Sequence, residues 1–189
     1  MRIISGQFRG KKLVSAPEEI TRPTSDRGKE GLFNVLESYL LKVEKHWHEL
    51  TFVDVFAGSG AIGIEACSRG VKRVFFFENN SVAMRHLKQN INAIGVKNIE
   101  LLQNALYPPF TETAVDVYFS DAPYQKGLTE KALTAFNQNG WINENTLIIL
   151  ETDYNEKLNL PEEFVYERQL SYSRNQFYIV KKNKINKGG

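Results

Sequence analysis

The sequence predicts an α/β domain with a mostly parallel sheet and helices on both of its faces. Three observations carry that expectation. Short β-type apolar runs alternate with stretches of helical periodicity through the middle of the chain. A glycine-rich turn follows the first of those runs. The 189 residues suffice for one α/β core and are too few for two large ones.

Taken in order, Arg2 to Leu13 reads as two short strands around glycine turns, a small β-hairpin extension. Thr21-Arg22-Pro23-Thr24-Ser25 is a loop rich in helix-capping side chains. From about 25 to 46, Leu32, Leu36, Tyr39, Leu40 and Val43 recur at helical spacing. The alternation then runs strand 51–56, helix 60–69, strand 73–78, helix 81–94, strand 98–103, strand 115–120, helix 127–138 and strand 146–151. Phe164-Val165-Tyr166 and Gln176 to Val180 close the sheet as an antiparallel end. Alternating β and α implies parallel strands covered on both faces. The expected organisation is an extension over 1–24, a main domain over 25–182 and a flexible lysine-rich tail over 183–189.

Composition narrows the function classes. No run approaches the roughly 18 apolar residues of a membrane span, and the start lacks the apolar stretch of a signal peptide. One cysteine, Cys67, forms no internal disulfide, which fits a reducing cytoplasm. The net charge of +2 is unevenly placed. Residues 1–29 hold seven basic against three acidic side chains, residues 174–189 hold five basic and no acid, and the middle is acidic. The first 29 residues, where glycine and apolar residues alternate with the charges, suit a nucleic-acid contact, while the terminal lysines suit solubility equally well. His46 and His48 flank Trp47 without further ligands and do not make a metal site, Cys67 reads as a packed thiol, and Phe75-Phe76-Phe77 reads as core strand.

Two short segments carry chemistry. The first is Asp54-Val55-Phe56-Ala57-Gly58-Ser59-Gly60, at the end of a strand where open parallel sheets bind ligands. Gly58-Ser59-Gly60-Ala61-Ile62-Gly63 satisfies a dinucleotide pattern, and Glu78 ends the next strand where a ribose-binding acid sits, with Asn79 beside it. A dehydrogenase is therefore the competing reading. Asp54 argues against it, because a carboxylate feeding the loop repels a pyrophosphate. S-adenosylmethionine has no phosphate, and its ammonium and sulfonium favour an acid there. In this reading the loop approaches the methionine and sugar portions, Glu78 accepts from the ribose hydroxyls, and Asn104-Ala105 sits beside the adenine.

The second segment, Asp121-Ala122-Pro123-Tyr124, follows another strand 67 residues downstream of Asp54. A ring amino group is a poor nucleophile because its lone pair is delocalised. The Asp121 carboxylate and the Ala122 carbonyl each accept one N–H and so direct that lone pair at an incoming methyl. Pro123 stiffens the turn, and Tyr124 offers a ring for an extruded base.

Beyond these segments, Arg2-Ile3-Ile4-Ser5-Gly6, Arg9-Gly10-Lys11-Lys12-Leu13, Thr21 to Arg27, Leu32-Phe33-Asn34, Gly63-Ile64-Glu65-Ala66 and Ser68-Arg69-Gly70 complete a pattern that closely resembles the RsmD family through most of the chain. Those are bacterial S-adenosylmethionine-dependent enzymes that methylate N2 of a guanine in 16S rRNA. The resemblance implies the class I methyltransferase sheet, a Rossmann-like fold, and a substrate of 16S rRNA, free or within a small ribosomal subunit or its assembly intermediate. It implies that the N-terminal extension helps hold RNA, with Arg2, Arg9, Lys11, Lys12, Arg22, Thr24 and Arg27 as contacts. Two departures stand out. The family usually has a proline where this chain has Ala122, and commonly an acid where it has Asn104.

Three rival readings stay open at this point. A DNA adenine N6-methyltransferase shares the clamp but needs a target-recognition region for which no insertion has room. A protein glutamine N5-methyltransferase suits a planar amide but not the basic N-terminus. A non-catalytic RNA-binding module on the same fold is disfavoured by the presence of Asp121 and the glycines. The sequence leaves the oligomeric state open, a monomer being the simplest expectation, and implies no membrane partner.

Overall fold

The computed structural model describes residues 1–15, 25–123, 127–153, 158–172 and 175–183. Among the described residues, seven strands form one sheet, in the order β3-β2-β1-β4-β5-β7-β6. The elements are α1 (Asp26–Val43), β1 (Thr51–Val55), α2 (Ala61–Ser68), β2 (Arg73–Phe77), α3 (Ser81–Ile94), β3 (Ile99–Leu102), β4 (Val117–Ser120), α4 (Leu128–Gln138), β5 (Leu147–Asp153), β6 (Phe164–Tyr172) and β7 (Asn175–Lys182). β1 to β5 pair in parallel, and β7 pairs antiparallel with both β5 and β6. This is the expected class I architecture.

Period-two alternation sends neighbouring strand residues to opposite faces. Phe52, Val74, Phe76, Val117, Phe119 and Ile149 enter one core with Leu32, Phe33 and Leu36 of α1, Ile62 and Ile64 of α2 and Leu87 of α3. Val53, Val55, Phe77, Tyr118, Ile148 and Leu150 enter the other with Leu133 and Phe136 of α4. Burial on both faces explains why these strands read as continuous apolar runs.

Register positions the site. Val55 pairs with Phe77 and with Ser120, and Phe77 with Leu102, so four parallel strands finish level. Phe56, Glu78, Gln103 and Asp121 therefore emerge along one edge of the sheet. After β3 the chain crosses back to β4 on the far side of β1, so the β1/β4 boundary is the topological switch point where such sheets bind ligands.

Local expectations were met unevenly. α3 has the anticipated limits, with Asn80 capping its first turn by accepting from Val82 and Ala83 amides at 2.9 and 3.1 Å. α1 stops at Val43 because Glu44 adopts a left-handed conformation, φ 54°, from which its amide donates to Leu40 O. β6 is much longer than three residues; its mostly exposed edge position hides it from a reading based on apolar pattern. The N-terminal hairpin reduces to one antiparallel bridge, Arg2 with Lys12. Between them the backbone turns away from strand pairing to bond α2: the Ile4 and Ser5 amides each donate to the Glu65 carboxylate at 2.9 Å, and Phe8 N to Ser68 Oγ at 3.0 Å. Ile3 and Leu13 are buried in the core of α1, α2 and α3.

α2 approaches the sheet closely at Gly63. A Cβ there would overlap the Phe76 ring and lie 3.1 Å from Asp54 Oδ2. Gly63→Ala gains about 1 kcal/mol of helix propensity, but overpacking costs ~1–3 kcal/mol. The expected result is a net loss of stability in denaturant unfolding.

Candidate cofactor and amine site

The loop leaving β1 is held in an unusual backbone conformation. Phe56, Gly58 and Gly60 have φ of 63°, 58° and 86°. For Phe56 this is strained, which the surroundings must over-determine. They do so by hydrogen bonds: Ala57 N donates to Phe77 O at 2.9 Å, Gly60 N to Ala57 O at 2.8 Å, and Gly58 N to Glu78 Oε2 at 2.7 Å. The other oxygen of Glu78 accepts from Asn80 N at 2.7 Å. One carboxylate thus spans the loop after β1 and the start of α3.

Asp54, 2 % exposed, turns its Oδ2 to the Gly63 amide in the first turn of α2 at 2.8 Å. Burial pushes its carboxyl up to about 7; the Gly63 amide opposes this, while Asp121 and Glu78 push in the same direction as burial. Glu78 is likewise raised by burial, against the pull of backbone amides of Asn80, Gly58 and Asn79. Asp54 therefore senses both Asp121 and Glu78 beside the level strand ends. Such an acceptor set suits a cationic ligand with hydroxyls and rejects a pyrophosphate. It fits S-adenosylmethionine, with Asp54 and Glu78 as the acidic groups that would hold it.

Asp121 follows β4 directly, and its amide donates to Val55 O at 3.3 Å. Ala122 is buried and Pro123 exposed; Tyr124 lies outside the described residues. Ser59 is buried, Asn79 exposed and Ala105 packed in the α4-side core. Asn104 is exposed, and its Oδ1 accepts from Leu106 N at 3.0 Å. Its oxygen is engaged in shaping the turn, leaving one lone pair and the amide nitrogen for an adenine.

The basic N-terminal residues divide. Arg2 pairs with Asp26 at 2.9 Å, and Lys11 Nζ donates to Ala93 O at the end of α3. Arg9, Lys12 and Arg27 are exposed and join no ion pair among the described residues. Arg22 and Thr24 lie outside the described residues.

The residues that fasten the extension were missed in the sequence. Glu65 and Ser68 of α2 receive its amides, and Ser68 Oγ donates to Ser5 O at 2.6 Å. Lys29, fully buried, donates to Arg2 O; burial lowers its ammonium pKa while Glu65 and Asp26 raise it. Asn90 of α3 accepts from Val14 N at 2.8 Å and donates to Val14 O and to Ser59 O, both at 2.9 Å. This one buried amide joins the extension to the cofactor loop. Its sequence signal is a polar residue in the buried stripe Ala83, Leu87, Asn90 and Ile94, as Glu65 is the lone charge in apolar α2.

Comparison with known proteins agrees with this geometry. A family model described as conserved hypothetical protein 95 matches residues 1–181. The chain is 36% identical over 168 residues to the ribosomal RNA small subunit methyltransferase D of Haemophilus influenzae, covering 86% of this chain and 83% of that protein. It is 31% identical over 155 residues to the protein of the same name from Escherichia coli K12, covering 81% and 75%. The solved yhhF chain of Escherichia coli superposes with a TM-score of 0.78 at 28% identity, over 96% of this chain and 97% of that one.

Asp54 generates a prediction about pH. Its carboxyl is raised in the folded state from 3.8 to about 7, so its contribution is full below pH 4 and is lost as pH rises through 7. Asp54→Asn keeps an acceptor for Gly63 N and removes that loss. The cofactor-free variant should be more stable than wild type at pH 8, on the order of a few kcal/mol since each unit is about 1.4 kcal/mol, while binding S-adenosylmethionine more weakly. Thermal unfolding at pH 5 and 8 with calorimetric titration checks both.

Proposed function

The chain belongs to the family of ribosomal RNA small subunit methyltransferase D, and from that premise we propose that it methylates the exocyclic N2 amine of a guanine in 16S rRNA. It is an S-adenosylmethionine-dependent methyltransferase related to rRNA methylases. The observation that carries the finer reading is the position of Asp121-Ala122, one residue beyond the level strand ends and across the switch point from the Phe56–Gly60 loop.

When bound, S-adenosylmethionine supplies a methyl group on an electron-poor sulfur. The chain's own residues supply the rest. Asp54 and Glu78 balance the cofactor's positive charge and sugar hydroxyls. The Asp121 carboxylate and the Ala122 carbonyl accept the two N–H groups of the amine, which pulls its lone pair out of conjugation with the ring. Asp121 is also the group placed to hold the proton that the amine sheds. The backbone carbonyl survives the replacement of the family's usual proline by Ala122, so this acceptor pair is kept. Partner RNA fits the exposed Arg9 and Lys12 on an extension fastened beside the site.

Transfer of a tritiated methyl to small-subunit rRNA, followed by nucleoside analysis, tests this reading. N2-methylguanosine is expected; label confined to protein or to DNA adenine would replace it with a glutamine or adenine substrate. Asp121→Ala should lower single-turnover methyl transfer by ~10²–10³ with cofactor affinity nearly intact, because the lost acceptor acts in the transition state. Near wild-type turnover would remove Asp121 from the mechanism.

A further inference from the structure

We infer that the outward face of α3 is an RNA-phosphate surface that continues the basic N-terminal segment up to the methyl-transfer site. Residues 1–15 contain Arg2, Arg9, Lys11 and Lys12 and no acid. Residues 79–98 contain Arg85, Lys88 and Lys97 and no acid, between Glu78 and Glu100. These two acid-free stretches are far apart in sequence, yet the fold clamps them together. Asn90 bonds both backbone groups of Val14, and Lys11 donates to Ala93 O.

The helix is two-sided. Ala83, Leu87, Asn90 and Ile94 are buried, while Arg85, Lys88, Gln89 and Asn92 recur at i, i+3, i+4 and i+7 on the exposed face. That face carries two cations and two amides, the donors that phosphate and sugar oxygens accept from. Among the described residues, Arg85, Lys88, Lys97, Arg9 and Lys12 join no ion pair. Some exposed cations elsewhere are paired, as Arg73 is with Glu100 and Lys181 with Glu167, each at 2.6 Å. A charge run on a merely solvated helix carries acids too, as α1 does with Asp26, Glu30 and Glu37.

Direction completes the argument. α3 starts at Ser81, three residues after Glu78, so its first turn stands at the strand ends that carry the site. Its outward face then descends to Gly95 and Lys97, alongside the segment that bears Lys11 and Lys12. An RNA backbone laid along this face delivers a nucleotide to the end where Asp121 lies.

This inference rests on rRNA being the substrate, and the experiment separates the two. Binding of the full chain to small-subunit rRNA is measured over a range of salt concentrations for wild type, Arg85→Glu/Lys88→Glu and Lys42→Glu/Lys131→Glu, the last making the same charge change on α1 and α4. Each phosphate contact contributes ~0.7 to the salt slope for single strands. The α3 pair should flatten the slope by about 1.4 and weaken binding, with the thermal shift produced by S-adenosylmethionine unchanged; the control pair should keep the wild-type slope. An unchanged slope in the α3 variant, or an equal loss in the control pair, overturns the surface. A wild-type chain that binds no rRNA overturns the substrate reading itself, and the surface with it.

Discussion

Two backbone amides, of Gly58 and Asn80, converge on the carboxylate of Glu78 at 2.7 Å each, and the site depends on that convergence. It becomes possible because β1 and β2 finish level, which places Glu78 beside the loop that leaves β1. Hydrogen bonds to a charged group are stronger than neutral ones, so they can hold Phe56 and the glycines in left-handed conformations that an isolated loop abandons. The result is a fixed turn with an anionic surround. Asp54 adds a second carboxyl group from within β1 and Asp121 a third after β4; burial, with both neighbouring acids, raises the carboxyl of Asp54 to about 7.

The N-terminal segment depends on the same scaffold. It makes almost no sheet of its own, and the amides of Ile4, Ser5, Gln7 and Phe8 are satisfied by Glu65 and Ser68 of α2. Asn90 then connects Val14 to the Ser59 carbonyl of the cofactor loop. A displacement of the extension therefore reaches the loop through one side chain.

Much of the frame was legible in the sequence, for a physical reason. Parallel strands buried on both faces are uniformly apolar, so the runs around Val53, Phe76 and Phe119 announce themselves, and the cap Asn80 marks the start of α3. Asp54, Glu78 and Asp121 drew attention because ligand chemistry concentrates at strand ends, and the register of β1, β2 and β4 brings those ends level. What escaped was set by contacts across the chain. The role of Glu65 requires knowing that Ile4 and Ser5 lie over α2, and that of Asn90 requires Val14 and Ser59 at once. Arg2 and Lys11 read as RNA contacts from charge alone, yet the fold engages them with Asp26 and Ala93. β6 hid because an exposed edge strand has no apolar signature.

Acidic side chains near the carboxyl ends of β1, β2 and β4, with Asp54 sensing both Glu78 and Asp121, should choose the cofactor by charge. Calorimetric titration of the metal-free protein with S-adenosylmethionine and, separately, with NAD measures that choice. The account predicts saturable binding of S-adenosylmethionine and none of NAD. Tight NAD binding with no response to S-adenosylmethionine would contradict it.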